Sequence, residues 1–565
     1  MNSTLHLTIL AGAILFAIPA WAQPAPHVII PDAGHVLVPP TAPQDTASSM
    51  PTPQLDLTLP AGRVGTVRFT NVRVTGARAV KADEIIALFA PLKGQAITPA
   101  TLKVAVDKVN ALYLAAGYPL GRAYIPAQVM HGGTLVVRVV EGYVANLEIE
   151  ADTSGTKALV EKIAAHLTEE KPLTSRRLQR YMLIIQDLPG ITVGSKFQSM
   201  DPRTGATTLI LSAKIKPATA TFLMDNRANL ARLPFQPYLT ATFNNLLGNA
   251  DQTSVTALLS PRQQDYAFYD IGYSQLVGTE GLSMGLDASW AQTLDYRSFA
   301  PYDVRSQASH LGYVSRYPLV RAMDEQLNID GKLYYVHAGY SFAHIPIAHD
   351  DFVTARIGGD YARSISSQLV VSGNLYLTQG VSDMGAQPHT RSAVQPNFTK
   401  LQGEARLVYK PTEKLTVNLG AGGQFGSGSL YSSEEIAFGG LQYGRGFGAA
   451  EITGDSGFGV AVQPEYTIPF DWTQTGLGRG WSVTPYLLFD YAKTLNTAGD
   501  GEPDGELVSA GVGCRLAVSD LITLTLEADK PINRIPLFRE NRDPRFYGGI
   551  QCGLDRASSL IEESL

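Results

Sequence analysis

The stretch Phe438–Glu465, FGGLQYGRGFGAAEITGDSGFGVAVQPE, sets one cation, Arg445, between two glycines in a segment with no other Lys or Arg. Flanking glycine lets the backbone wrap tightly around a long side chain. Behind it, Gly459-Val460-Ala461-Val462-Gln463-Pro464-Glu465-Tyr466 alternates as a strand does. Taken alone, a glycine-rich loop feeding a strand is compatible with a mobile surface loop, so the rest of the chain has to decide.

Outward from this stretch, helical periodicity is missing from about Ala218 to Leu554. Segments of alternating character take its place: Pro237–Leu247, Asp265–Leu276, Leu282–Leu294, Phe352–Ala362, Lys400–Tyr409, Lys414–Phe425, Tyr486–Lys493, Leu507–Val518, Ile522–Ala528 and Phe546–Leu554. All candidates together come to about sixteen, and an even number is what a bacterial outer-membrane barrel needs. Alternation itself says only that one face is apolar, which a soluble sandwich shares. Connection lengths discriminate better. For a chain entering from the periplasm every second connection is short, and Leu247–Gln252, Val277–Gly281, Lys410–Lys414 and Ser519-Asp520 fit. Tyr296–Tyr302, Ser382–Phe398, the Arg445 stretch, Leu495–Glu506 and Ile532–Arg545 are the long ones, and Phe470–Trp481 is long on the short side. The asymmetry predicts a mainly β fold, an antiparallel transmembrane barrel of about sixteen strands over residues 218–554 with a loop near 426–458.

Composition agrees. Only 17% of the 565 residues are charged, while Gly numbers 53 and Tyr and Phe are 25 and 20, a balance suited to a large β structure. The net charge of −6 and the lack of any basic block exclude nucleic acid as a partner class. Cys514 and Cys552 share faces with Val512 and with Ile550, so both are expected to face lipid on strands one apart, about 10 Å from each other and unbridged.

Ahead of the barrel, residues 1–22 read as a secretory signal, with an apolar core from Leu7 to Pro19 and an Ala20-Trp21-Ala22 cleavage site. Residues 23–65 are a proline-dense linker, a spacer or a tether. From Thr66 the pattern becomes β-α-α-β-β. Val67–Val74 alternates, and Thr98-Pro99 caps a helix with apolar Leu102, Val106, Val109 and Tyr113. Tyr124–Val129 and Leu135–Val140 flank a His131-Gly132-Gly133 turn. The order then recurs: strand Val144–Glu150, helices Thr156–Leu167 and Ser175–Asp187, and strands Ile191–Phe197 and Thr207–Ile215. Two copies of one unit make a repeat, assigned to 66–143 and 144–217. Residues 555–565 form a C-terminal extension.

At this point the chain resembles a family. GYPLGRAYIPAQVMHGGTLVVRVVEGYV and LQRYMLIIQDLPGITV resemble the two POTRA modules of two-partner secretion transporters (TpsB, of ShlB/FhaC/HecB type). MDNRANLARLPFQPYLTATFNNLLGNADQ resembles the first barrel hairpin, and the Arg445 stretch the sixth extracellular loop, which folds back into the lumen with a VRG(F/Y) motif. The resemblance implies a sixteen-stranded outer-membrane pore whose POTRA modules, in the periplasm, bind an unfolded partner. That partner is a secreted β-helical exoprotein, adhesin or cytolysin, exported without ATP. Its implied surroundings are outer-membrane lipid and, during biogenesis, the barrel assembly machinery. In the family the loop arginine pairs with an inward Asp of an FxDxG strand, here Arg445 and Asp490 within Leu488-Phe489-Asp490-Tyr491-Ala492. Gly444, Gly446 and Phe447 complete the loop motif, with Gly444 standing where the family usually has Val. Substrate is expected at POTRA sheet edges within 66–217, with no individual residues assigned.

Other chemistry finds little support. Gly454-Asp455-Ser456-Gly457 matches the GDSG of trypsin-like proteases, but the only histidine motif, at His166, falls in the second module. The histidines lack metal spacing and no phosphate-binding loop precedes a helix, so no catalytic residue, metal or cofactor is assigned and the chain is not read as an enzyme. The competing readings are an assembly insertase of the same superfamily, whose relatives carry three or more modules, and a passive porin.

Overall fold

The computed structural model describes residues 66–129, 131–151, 154–198, 200–227, 235–259, 266–294, 304–383, 394–470, 481–497, 503–518, 522–537 and 539–553. The signal, the linker, the C-terminal extension and the connections 295–303, 471–480 and 519–521 lie outside them.

The two N-terminal units share one topology. In the first, β1 (Asn71–Thr75), two helices (Ala82–Phe89 and Pro99–Ala115), β2 (Gly121–Tyr124) and β3 (Thr134–Glu141) give a sheet of order β1-β3-β2. In the second, β4 (Tyr143–Ala151), helices Ser154–Ala164 and Ser175–Gln186, β5 (Ile191–Phe197) and β6 (Ala206–Ile215) give the order β4-β6-β5. The second helix of each unit starts at a threonine cap. Thr98 accepts from the Thr101 N–H and Thr174 from the Arg177 N–H, both at 3.3 Å, which satisfies one of the open first-turn donors. Each sheet buries one face on its helices: Phe69, Ile85, Val109 and Tyr113 centre the first core, Ile163, Leu178, Ile185 and Leu209 the second. Leu120 and Val140 of the first unit join the second core, so the units pack as a tandem.

From Ala218 the chain forms one closed antiparallel barrel. Its strands are β7 (Ala218–Asp225), β8 (Gln236–Asn244), β9 (Asp251–Leu258), β10 (Tyr266–Val277), β11 (Leu282–Leu294), β12 (Val304–Arg321), β13 (Glu325–Phe342), β14 (Ile345–Ser366), β15 (Leu369–Asp383), β16 (Thr399–Tyr409) and β17 (Leu415–Gly426). After a short hairpin, β18 (Ile436–Phe438) and β19 (Ile452–Gly454), come β20 (Ser456–Tyr466) with its continuation β21 (Ile468–Phe470), β22 (Trp481–Leu495), β23 (Gly505–Ala517), β24 (Ile522–Pro531) and β25 (Arg545–Gly553). Because β20 and β21 both pair with β22, they count as one interrupted strand, and β25 closes on β7 to give sixteen.

Burial is inverted relative to a water-soluble protein. Along β22, Leu487 and Phe489 are 60% and 50% exposed, while Leu488 between them and Asp490 after them are buried. Leu286, Leu311, Ile357, Leu375 and Leu526 are exposed in the same way, and Asp330, Thr354, Thr378, Ser509 and Asp529 are buried inside. An apolar outer face around a polar interior is the arrangement lipid demands, and closure leaves no unpaired edge. Cys514 on β23 and Cys552 on β25 are free, with β24 between them.

β12 and β13 are the longest of the strands not named individually from the sequence, and the connection beyond them overturns part of the loop pattern. The connection β13–β14 is only Ala343-His344, a two-residue turn with φ of 48° and 64° on the side expected to carry long loops. The strands themselves lengthen to 18, 18 and 22 residues there. Longer strands take the place of a loop.

Candidate functional site: a loop seated in the barrel lumen

Residues 427–455 connect β17 to β20 and turn inward. Phe438, Tyr443, Phe447 and Ile452 of the connection are buried against Ala492 of β22 and Leu507 of β23. Gly446 lies so close to β24 that a Cβ there would sit 2.7 Å from the Pro531 nitrogen. The glycines flanking Arg445 therefore serve close approach to a wall, and the surface-loop reading falls.

The resemblance implies an ion pair between Arg445 and Asp490; the structure joins the two through the Arg445 backbone N–H and sends the guanidinium to another carboxylate. Asp490 Oδ1 accepts the Gly444 N–H at 2.7 Å and the Ser509 hydroxyl at 2.5 Å, and its Oδ2 accepts the Arg445 backbone N–H at 3.3 Å. The Arg445 guanidinium passes on to Glu527 on β24, with Nη1 3.2 Å from Oε2, and also donates to Gln463 at 3.1 Å. The cause is local: Gly444 has φ +82°, which turns its N–H and the next one onto the carboxylate and sends the side chain past it. Tyr486 donates to Glu527 at 2.5 Å, and Tyr547 to the Arg445 carbonyl at 3.0 Å. Glu527 and Asp529 went unnoticed in the sequence, although alternation in Leu526-Glu527-Ala528-Asp529 places both acids on the inward face.

Gly444→Val is expected to loosen the seat, because an L-residue at that φ costs about 1–2 kcal/mol and β-branching adds to it. The added Cβ would also meet Leu507 Cδ1 at 2.7 Å. Tryptic cleavage after Arg445 in the purified barrel reports the loosening; unchanged protection would contradict it.

Beside the loop lies a cavity of about 1240 Å³, bounded by wall strands and by Leu441, Gln442, Tyr443 and Arg445. Asp287, which lines this cavity, comes together with Asp270 and His310 from β10, β11 and β12, with ligand-type atoms within 4.8 Å of one another. Both His310 ring nitrogens are engaged, by Asp287 at 2.6 Å and Ser289 at 2.9 Å, which makes this a cross-strand hydrogen-bonded row. The protease-like residues hold the loop instead. Asp455 accepts the backbone N–H groups of Leu430 and Thr497 at 2.8 and 2.9 Å, and Ser456 that of Gly426 at 3.0 Å. His166 sits at the other end of the molecule, 2.9 Å from Thr279.

That histidine belongs to the contact between the second unit and the barrel. Arg180 and Tyr181 reach Glu280 in the β10–β11 turn at 3.2 and 2.7 Å, and Arg321 forks onto Asp187 at 2.6 and 2.7 Å. Burial pushes the Glu280 carboxyl up, but the Tyr181 hydroxyl and the Arg180 guanidinium outweigh it and hold the group below its ordinary 4.5. Tyr181 is pushed up to about 12, by burial first and then by that hydrogen bond. With a lowered docked value, Glu280 contributes fully above its ordinary value, and the contribution is lost as pH falls through the docked one. Its side chain is 45% exposed, so the contribution is only about 0.2–1 kcal/mol. Spin labels at Lys162 and Lys410 are expected to show a broader distance distribution on acidification. Glu280→Gln should broaden it already at neutral pH; an identical neutral distribution would contradict this.

A closed barrel, apolar outside and polar within, a tandem of α+β units docked at one end and an arginine loop folded into the lumen define an outer-membrane transport barrel with POTRA modules. The chain belongs to the haemolysin secretion/activation family ShlB/FhaC/HecB, whose model matches residues 205–516, and the ShlB-type POTRA domain model matches 67–142. This family comprises outer-membrane transporters of two-partner secretion. The chain is similar to the heme/hemopexin transporter protein HuxB of Haemophilus influenzae, 20% identical over 473 residues, which cover 80% of this chain and 81% of that protein. Among solved structures it resembles CdiB from Escherichia coli, with TM-score 0.65, 20% identity and coverage of 90% and 94%. BamA from Haemophilus ducreyi lacking POTRA domains 1–3 shares the fold at TM-score 0.54 and 11% identity, covering 86% of this chain and all of that one.

Proposed function

We propose that the chain captures one large unfolded exoprotein in the periplasm and passes it through the barrel lumen without ATP, the loop seat at Arg445 and Asp490 setting the state of the pore. The observation that carries this reading is the seated loop itself. A polar lumen bordered by a segment fastened through few polar contacts can be opened by moving that segment. The proposed division is 66–143 and 144–217 for the modules, in the periplasm, and 218–554 for the barrel in outer-membrane lipid, delivered there by the barrel assembly machinery. Capture uses sheet edges, where an extended chain adds a strand through backbone hydrogen bonds. The outer strands on offer are β1 and β2 in the first module and β4 and β5 in the second.

Co-expression with the exoprotein tests this. A host lacking other such transporters should place the exoprotein outside the cell only when the chain is present, and hold it in the periplasm otherwise. Export without the chain, or retention with it, would contradict the proposal. The insertase alternative predicts changed levels of other barrels instead.

A further inference from the structure

We infer that Arg227 is a positioning residue for the lumen loop, acting on Arg445 through Glu527 and Tyr547. Arg227 lies two residues past the end of β7, and its side chain is 11% exposed. Its Nη2 is 2.7 Å from Glu527 Oε1, while the loop's Arg445 takes Oε2 of the same carboxylate. Its guanidinium also stands 4.3 Å from the centre of the Tyr547 ring, whose hydroxyl donates to the Arg445 carbonyl. The ion-pair partner and the carbonyl partner of the loop arginine are thus both held by Arg227.

The backbone that carries Arg227 is fixed where the ladder runs out. The seam between β25 and β7 has five residue pairs, against eight in each adjoining pairing, β7–β8 and β24–β25. Asn226 extends it: its N–H reaches the Gly548 carbonyl at 3.3 Å, its Oδ1 accepts the Gly548 N–H at 2.9 Å, and its Nδ2 donates to the Phe546 carbonyl at 3.2 Å. A side chain therefore does the work of a sixth pair, and it aims the next residue at Glu527.

Charge balance supplies the coupling. Two guanidiniums, Arg227 and Arg445, face two buried carboxylates, Glu527 and Asp529, with Arg227 Nη1 3.9 Å from Asp529. Without Arg227, Arg445 is the one guanidinium left beside the two buried carboxyl groups and is drawn toward both. Arg445 has an idle donor for this, its buried Nε, which makes no hydrogen bond. Turning toward Asp529 draws the guanidinium from its present place and strains the amide contacts that Gly444 and Arg445 make with Asp490.

The inference deepens the transport reading, yet its test needs no exoprotein, so failure of one is distinguishable from failure of the other. Arg445 is the only tryptic site within 438–465, so cleavage there reports seating directly. The full chain, purified in detergent and checked for heat-modifiable migration, should resist trypsin at this bond. Arg227→Gln should be cut there about tenfold faster or more, the scale set by loss of a hydrogen bond to a charged group, and Glu527→Gln likewise. Arg227→Gln with Glu527→Gln should be no faster than the quicker single variant. Should Arg227→Gln fail to assemble, Arg227→Met, of similar length, takes its place. Wild-type protection in an assembled Arg227 variant, or failure of both variants to assemble, would overturn the proposal, the second by making Arg227 a folding residue only.

Discussion

Removal of residues 66–217 is expected to abolish export while the remaining barrel still reaches the outer membrane and changes its gel migration on heating. The barrel ladder is complete without the modules, since every strand from β7 to β25 pairs within the barrel or the lumen hairpin. What the deletion takes from the barrel is surface contact: Arg180, Tyr181 and Asp187 leave the turns at Glu280 and Arg321, and Leu276 loses the second core that packs on it. Those are polar contacts and the packing of Leu276 and of Ala250, in the β8–β9 connection, on that core, small against sixteen closed strands. Export loses everything, because edge capture depends on backbone groups that only β1–β6 present. Persistent export from the truncated chain would show that the lumen recruits substrate by itself.

The second large effect belongs to the loop seat. Arg445→Ala and Asp490→Ala are each expected to cut export at least tenfold, and the double variant should be no worse than either. The two act by different routes. Arg445→Ala leaves Glu527 and Asp529, both buried, with one guanidinium in place of two, and stranding a buried charge costs roughly 3–5 kcal/mol. Asp490→Ala keeps the ion pair and strips the acceptor from two backbone N–H groups and a hydroxyl, at about 1–3 kcal/mol for each group left unpaired. Both unseat the same segment, so their effects do not add. Arg445→Lys should not rescue, since one ammonium cannot meet Gln463 and Glu527 in the geometry a guanidinium fork allows. Additive losses, or normal export from Arg445→Ala, would separate the two residues. The expectation differs from that of a direct pair in one respect: Glu527→Ala should join the same non-additive set.

Much of this was legible in the sequence because a barrel wall imposes a period of two on each strand. That period gave Asp490 its inward face and Leu487 and Phe489 their outward ones, and it put Cys514 and Cys552 outside. The loop was legible from its glycines. Which inward acid meets the arginine was not, because the answer depends on the positive φ at Gly444 and on the lateral order of β22, β23 and β24. Strand alternation carries neither. The resemblance to transporters with Val at that position pointed to Asp490, and the glycine redirected the side chain to Glu527. β12 and β13, which are among the strands not named individually, were obscured for another reason. They run to 18 residues each, and polar and aromatic residues along them blur the alternation. His310, Asp287 and Asp270 are brought together only by the register of three adjacent strands.

The central claim is passage of an unfolded partner through this chain alone, and reconstitution tests it most directly. The purified chain is placed in lipid vesicles with its modules outward, and urea-unfolded exoprotein is diluted in without nucleotide or ion gradient. The account predicts exoprotein inside the vesicles, protected from added protease until detergent is supplied, and none with Arg445→Ala. Exoprotein that stays fully digestible, or protection that requires ATP, would contradict it.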